Sequence, residues 1–183
     1  LKDDDILVHG AEIYSGFFKD SEYVHDIENK GIARNIFTFQ ITVKAISSFF
    51  NNNTNDILEQ FIYMLLFDAL VGNNDRHFYN WGIITNINPA KNPYFSPIYD
   101  TARGLFWNFS EAKIDSILRN TQDVRNILNR YVNESKPKIG WDKELDINHI
   151  RLVENIYKSG LYISKDKIAT FFSNSNLNKI IDL

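Results

Sequence analysis

The chain contains no cysteine, four prolines and a single methionine. Without cysteine there is no disulfide framework, no thiolate nucleophile and no cysteine-held zinc or iron–sulfur centre, and the redox compartment is left open. No stretch approaches the ~18 uncharged apolar residues of a membrane span. The opening Leu1-Lys2-Asp3-Asp4-Asp5 has neither the basic nor the apolar part of a secretion signal. A surplus of positive charge is also missing: Lys plus Arg 20 against Asp plus Glu 23 gives a net −3, which speaks against a polyanion-binding surface and makes direct nucleic acid binding unexpected. What is present is apolar and aromatic. Of 183 residues 44% are hydrophobic, with 14 Phe, 9 Tyr and 3 Trp, enough for one well-filled core and incompatible with global disorder. The expectation is one soluble domain, cytoplasmic by default and with no membrane attachment. The start at Leu1 instead of a methionine adds the expectation that it is part of a longer polypeptide.

Hydrophobic periodicity divides the chain. Ile6-Leu7-Val8 before Gly10 reads as a strand and turn, and Ala11 to Phe18 as a short helix. Helical spacing of Phe37, Ile41, Ala45, Ile46 and Phe49 predicts a helix over 37–50. The strongest pattern predicts a helix from Ile57 to Val71, capped by Asp56 with Glu59 completing a capping box and Gly72 supplying a left-handed exit. Its apolar residues cover more than one face, as in a buried central helix. Two β runs, Trp81 to Thr85 and Tyr94 to Tyr99, flank a turn-rich connector and predict a hairpin. Beyond them the texture is helical: Ser110 into Leu118, Thr121 or Gln122 into Val132, Asp146 into Tyr157 with Gly160 as its stop, and Ser164 into Phe172. The apolar stripes of these segments are expected to be core faces.

The pattern that carries chemistry is Asp75, four residues, Asn80, and then a hairpin ending at Asp100. With strands of similar length, Asp100 returns beside Asn80. A carboxylate and an amide oxygen then face one volume, a donor set that suits Mg²⁺ held together with substrate phosphates. Asp75, just before, is left free to accept a proton from a hydroxyl. The same spacing recurs at Asp68 with Asn73 and at Asp115 with Asn120, and both copies are set aside because each lies in a helical region with no returning hairpin. The competing reading is an Asx-rich turn in which Asp75 and Asn80 bond to nearby backbone.

On the residues Val71-Gly72-Asn73-Asn74-Asp75-Arg76-His77-Phe78-Tyr79-Asn80-Trp81 and Ser96-Pro97-Ile98-Tyr99-Asp100, the sequence resembles the HipA-like serine/threonine kinases, including their small CtkA-type members. The resemblance covers about residues 57–108. It implies a mainly α fold with a small β-hairpin, the helical large lobe of a protein kinase with most of the small lobe absent. Residues 1–12 would be the end of the small lobe and the hinge, and 13–183 the helical lobe, with catalytic loop 73–80 and metal-binding segment 96–104. Asp75 would be the catalytic base, His77 a catalytic-loop residue near the transferred phosphoryl, and Asn80 and Asp100 the Mg²⁺ ligands. Backbone of Val8, His9 or Gly10 would meet the adenine of ATP. Arg76 and Arg103 would contact phosphate or a phosphorylated activation segment, with ion pairs to Asp100 or Asp75 as the plainer alternative.

The implied activity is ATP- and Mg²⁺-dependent phosphorylation of a protein Ser or Thr. Implied partners are a protein substrate, a HipB-like antitoxin as in bacterial toxin–antitoxin relatives, or a separate small-lobe polypeptide; delivery into a host cell is a further implication. A glycine-rich phosphate loop and a strand lysine are absent, so an inactive pseudokinase acting as an interaction module is the alternative. A lipid kinase of the phosphoinositide type is a weaker one, because Tyr99-Asp100-Thr101 replaces the usual Asp-Phe-Gly. A His-Asn nuclease lacks its second histidine, and Ser96 and Ser110 have no histidine nearby for a triad. Lys136, Lys138 and Trp141 form a basic aromatic loop that either meets substrate or is a pair of solvated lysines beside a core tryptophan.

Overall fold

Ile57, Leu58, Phe61, Ile62, Met64, Leu65 and Leu66 are all buried, so the helix that carries them, α5 (Thr54–Val71), is enclosed on several sides. In the computed structural model, which describes residues 4–104 and 106–174, it packs against α4 (Phe39–Phe49), α8 (His149–Ser159) and the short strand β3 (Tyr94–Phe95). Residues 1–3 of the expected hinge segment, Leu105, and 175–183 of the expected helical lobe lie outside the described residues.

The chain enters through β1 (Asp5–His9) and runs straight into α1 (Gly10–Phe18), α2 (Ser21–Asn29) and α3 (Ala33–Ile36) before α4 and α5. Strand β2 (Gly82–Asn86) and β3 form the anticipated hairpin, in register Ile83↔Phe95 and Ile84↔Tyr94, but the second run, expected to reach Tyr99, stops as a strand at Phe95. β1 joins it antiparallel on the other side, Val8 opposite Ile83 and His9 opposite Gly82, so the order is β1-β2-β3 with β1 at an edge. The remainder is α6 (Glu111–Leu118), α7 (Thr121–Glu134), α8 and α9 (Lys165–Asn174). The described chain is mostly helical. Among the described residues no helix is long and apolar enough to cross a membrane.

Local chemistry explains most boundaries. Asp20, Thr38, Ser110, Asn120 and Asn148 each accept a backbone N–H with the side chain at the start of α2, α4, α6, α7 and α8. Gly72 ends α5 at φ 60, and its N–H closes onto Asp68 O. Gly10 is needed for closeness: a Cβ there would stand 2.5 Å from the Trp81 ring and 2.8 Å from Phe78 O. Its N–H donates to Trp81 O at 3.0 Å, and that of Ala11 to Phe78 O at 2.9 Å. These bonds stitch α1 to the segment before β2. Stacked and edge-on rings continue the join, Tyr14 on Phe37 at 4.1 Å and Phe61 to Trp81 at 5.1 Å between centroids.

Several expectations are corrected. α5 starts at Thr54, not at an Asp56 cap: Asn53 precedes it without a side-chain bond, and Glu59 is held by Lys167 at 2.6 Å instead of closing a capping box. α8 begins at His149 behind Asn148, while Asp146 stays outside and pairs with Lys136 and Arg34. Helices α2 and α3 were not anticipated; their few apolar positions sit among charges. The stripes of α6 and α7 are not core faces: neither helix has a buried residue, and Leu118 and Leu128 are 66% and 45% exposed. The hairpin of α6 on α7 lies at the periphery. On α8 the buried residues are His149, Leu152, Asn155 and Ile156, whereas Ile150 and Tyr157 face out.

Candidate functional site

The loop after α5 is built on a buried acid. Asp68 lies within α5 with a side chain 1% exposed. Burial pushes its carboxyl up, and Arg76 and Asn73 pull it back by bonding the ionised form. The Arg76 fork meets it twice, Nε to Oδ2 and Nη2 to Oδ1, both at 2.9 Å, and Asn73 Nδ2 donates to Oδ1 at 3.0 Å. Asn73 Oδ1 in turn accepts the Asp75 N–H at 3.1 Å. The remaining reach of the guanidinium is spent on the two strands of the site. Arg76 Nη1 donates to Asn80 O at 2.7 Å and to Tyr99 O. One nitrogen therefore pins the residue before Asp100 to the backbone of Asn80, beyond the end of the hairpin ladder, where Ser96 N donates to Gly82 O at 3.0 Å.

Asn80 is buried, and its Nδ2 donates to Asp75 O at 3.0 Å. Its Oδ1 takes no hydrogen bond among the described residues. Asp100 is exposed and held at φ 51, a left-handed conformation that Asp adopts more readily than most residues. Asp75, Asn80 and the chain leading into Asp100 are thus brought into one neighbourhood. Asp75 is not free, however. Arg103 Nε is 3.3 Å and Lys138 Nζ 4.0 Å from its carboxylate. The expected open proton acceptor is a carboxylate with two cations beside it. Lys138 belongs to the basic aromatic loop, whose Trp141 stacks on Phe39 at 5.1 Å while Lys136 is tied to Asp146.

His77 is half-buried in the same loop. Its N–H donates to Asp75 O at 2.8 Å, and its Nδ1 accepts the Tyr79 N–H at 3.3 Å. Arg76 is corrected from a phosphate contact to a buried strut, because every bond found for it ends inside the protein. Arg103 keeps the ion pair weighed as the plainer alternative, and its guanidinium also lies 5.2 Å from the centre of the Trp107 ring. At the proposed hinge, Val8 is paired with Ile83, the His9 N–H donates to Glu12 Oε2 at 2.8 Å, and the Gly10 N–H is taken by Trp81. The imidazole of His9 lies 2.9 Å from the Tyr99 hydroxyl, which donates to Tyr79 O at 3.2 Å. Burial pushes that phenol up to about 12 against the pull of Arg76, with Asp100 adding to the rise, so it remains a donor.

Beside this assembly the sheet supports an open cavity of about 430 Å³ lined by Leu7, Ile84, Tyr94, Ser96, Ile98 and Tyr99. Ser96 Oγ is buried there without a hydrogen-bond partner among the described residues. Sequence reasoning missed Asp68, Asn73, Ser96 and Tyr99. The first had a readable signal, since a lone acid inside an otherwise apolar helix must find a cation.

No family model and no curated protein matches the sequence. Among solved structures, the crystal structure of the Helicobacter pylori proinflammatory kinase CtkA matches with a TM-score of 0.56 at 18% identity, over 94% of this chain and 61% of that one. The chain is similar in fold to a kinase and spans 61% of that kinase's length.

Proposed function

We propose that the chain is the large lobe of a HipA-like, ATP- and Mg²⁺-dependent protein kinase that phosphorylates a protein Ser or Thr. The observation that carries this reading is the pair of hydrogen bonds that Arg76 Nη1 donates to Asn80 O and Tyr99 O. It holds the backbone of Asn80 and that of Tyr99, the residue before Asp100, at the same end of the hairpin, near Asp75. The donor set fits a hard cation: an open amide oxygen at Asn80 and an exposed carboxylate at Asp100. Among the described residues no group of three or more acids or histidines could hold a metal by itself, so these two ligands suit an ion that arrives with the nucleotide phosphates. Bound there, Mg²⁺ supplies charge neutralisation on the phosphates.

The residues of this chain do the rest. Asp75 accepts the proton of the acceptor hydroxyl, and Arg103 and Lys138 beside it balance charge at the point of transfer. His77 holds the loop through Asp75 O and Tyr79 N. The shelf of about 430 Å³, lined mainly by apolar side chains with Asp5 at its edge, has the size of a small-ligand site. In this reading the base of ATP lies on the shelf and its phosphates run toward Asn80 and Asp100. Cytoplasmic action, a HipB-like antitoxin and entry into a host cell belong to the same proposal only through the resemblance.

Transfer from radiolabelled ATP to protein acceptors, on this chain and its longest natural form, tests the reading. Activity that requires Mg²⁺ and falls at least about a hundredfold in Asp75→Ala and Asp100→Ala supports it. Activity unchanged in both variants ends it.

A further inference from the structure

A second cavity, of about 540 Å³, opens beside Asn74 and Arg103, between the segment leading into α6 and the face of α7. Its charge is out of character for the molecule. The chain as a whole carries −3, yet the cavity is lined by the cations Arg103, Lys113 and Arg130 and by one acid, Glu134. That acid is already paired with Arg130 at 3.4 Å. Lys113 meets no carboxylate among the described residues; its ammonium sits 3.7 Å from the centre of the Phe109 ring. On the α7 side Tyr131 Oη packs over Gly72 and, like Ser135 Oγ, is hidden from solvent, so the cations are the groups an incoming ligand would meet. Cations in excess of the acid beside them, converging on one concave volume, are the complement of an anionic oxygen cluster. Arg103 connects the two sites directly, since it lines this cavity and touches Asp75.

We infer that this cavity receives an anionic side chain, a carboxylate or a phosphoryl group, of the polypeptide whose hydroxyl is presented to Asp75. The substrate assignment rests on the kinase reading; the binding site itself does not. One arginine side chain spans the interval, which an extended peptide at ~3.3 Å per residue covers in about two residues. The anion is thus expected close in sequence to the acceptor Ser or Thr. Trp107 and Phe109, which also line the cavity, give apolar walls for its neighbours. In this arrangement an incoming anion competes with Asp75 for Arg103, so binding at the cavity loosens the cation that occupies the proposed base.

The test measures binding without nucleotide. Fluorescein-labelled peptides with a central Ser carry Asp, phosphoserine or Asn at each position on either side of it, and dissociation constants are read by anisotropy. At one or two positions the anionic peptides should bind at least about tenfold tighter than the Asn peptide, the ratio expected of one or more charge-assisted hydrogen bonds, and the preference should shrink as salt rises. A further preference for phosphoserine over Asp assigns the site to phosphoryl; equal binding assigns it to carboxylate. The double variant Lys113→Gln/Arg130→Gln, checked for native circular dichroism, should erase the preference. A preference below about threefold at every position, or one that survives the double variant, overturns the proposal. If anionic peptides bind but no phosphotransfer is found in any assay, the kinase reading fails alone. If transfer occurs with no anionic preference, this inference fails alone.

Discussion

Replacing Arg76 with methionine tests the physical centre of the site. Methionine keeps most of the length and apolar volume and removes the charge. Asp68, 1% exposed at the side chain, then loses the partner that made both 2.9 Å contacts, and Asn80 O and Tyr99 O lose their shared donor. Breaking a buried ion pair from one side costs about 3–5 kcal/mol, because the remaining charge is left uncompensated. For a domain of this length each kcal/mol lowers Tm by about 2–4 °C, so the variant should melt roughly 6–20 °C below the native protein. Asp68→Leu/Arg76→Met removes both charges and should recover most of the ion-pair part of the loss; the two carbonyls left without a donor cost up to about 1–3 kcal/mol each in both variants before relaxation, and the double variant also takes the acceptor from Asn73 Nδ2. Urea unfolding of the native protein, Arg76→Met, Asp68→Leu and the double variant, followed by circular dichroism with the slope checked for constancy, gives the four free energies. The reasoning is refuted if Arg76→Met lies within about 1 kcal/mol of native, or if the double variant is no better than the sum of the singles. Nucleotide-dependent activity should not return in the double variant, since the link between the two strands is still missing.

Gly72→Ala should cost clearly more than Gly160→Ala in the same unfolding assay. Both glycines sit at φ 60, and a Cβ at Gly160 meets nothing within 4 Å, whereas at Gly72 it would fall 0.6 Å from the Tyr131 hydroxyl. The left-handed backbone alone accounts for about 1–2 kcal/mol, and equal losses at the two positions would contradict the packing of α7 on this turn. Acid should weaken the fold through His149, whose imidazole is lowered to about 4 mainly by burial, with Arg34 adding to the fall and the backbone at Asn73 opposing it. Below about pH 6.5 the unfolded chain takes up the proton and the folded one does not, so stability is full above that pH and falls toward pH 4, by roughly 3 kcal/mol across the window. His149→Phe should flatten that part of the profile, and an unchanged slope between about pH 7 and about pH 5 would count against a buried neutral imidazole.

The fold was legible wherever one residue type dictates backbone behaviour. Gly72 and Gly160 ended helices, Ser110 began one, and the β runs around the connector closed as a hairpin with Asp100 returning toward Asn80. Charge pairing was harder to read, because it depends on which loops meet. Arg103 and Lys138 lie far along the chain from Asp75, and nothing local announces that both reach it. The Asp68 and Asn73 pair was visible as a repeat of the key spacing; its role was supporting, which only burial reveals. The stripes of α6 and α7 misled for a different reason. Helical periodicity says that a face is apolar, not that the core is large enough to cover it.

The three tryptophans fall in three separate surroundings, and that placement gives the molecule its own optical reporters. Trp81 is sealed beneath the hairpin, Trp141 lies flat on Phe39, and Trp107 is 55% exposed at the cationic cavity. Emission from the sealed indole should be bluer than from the open one, so single-tryptophan forms can follow melting of the sheet, the basic loop and the cavity wall as distinct signals. Quenching by iodide separates them further, since the open indole of Trp107 is dimmed most and the buried one of Trp81 least.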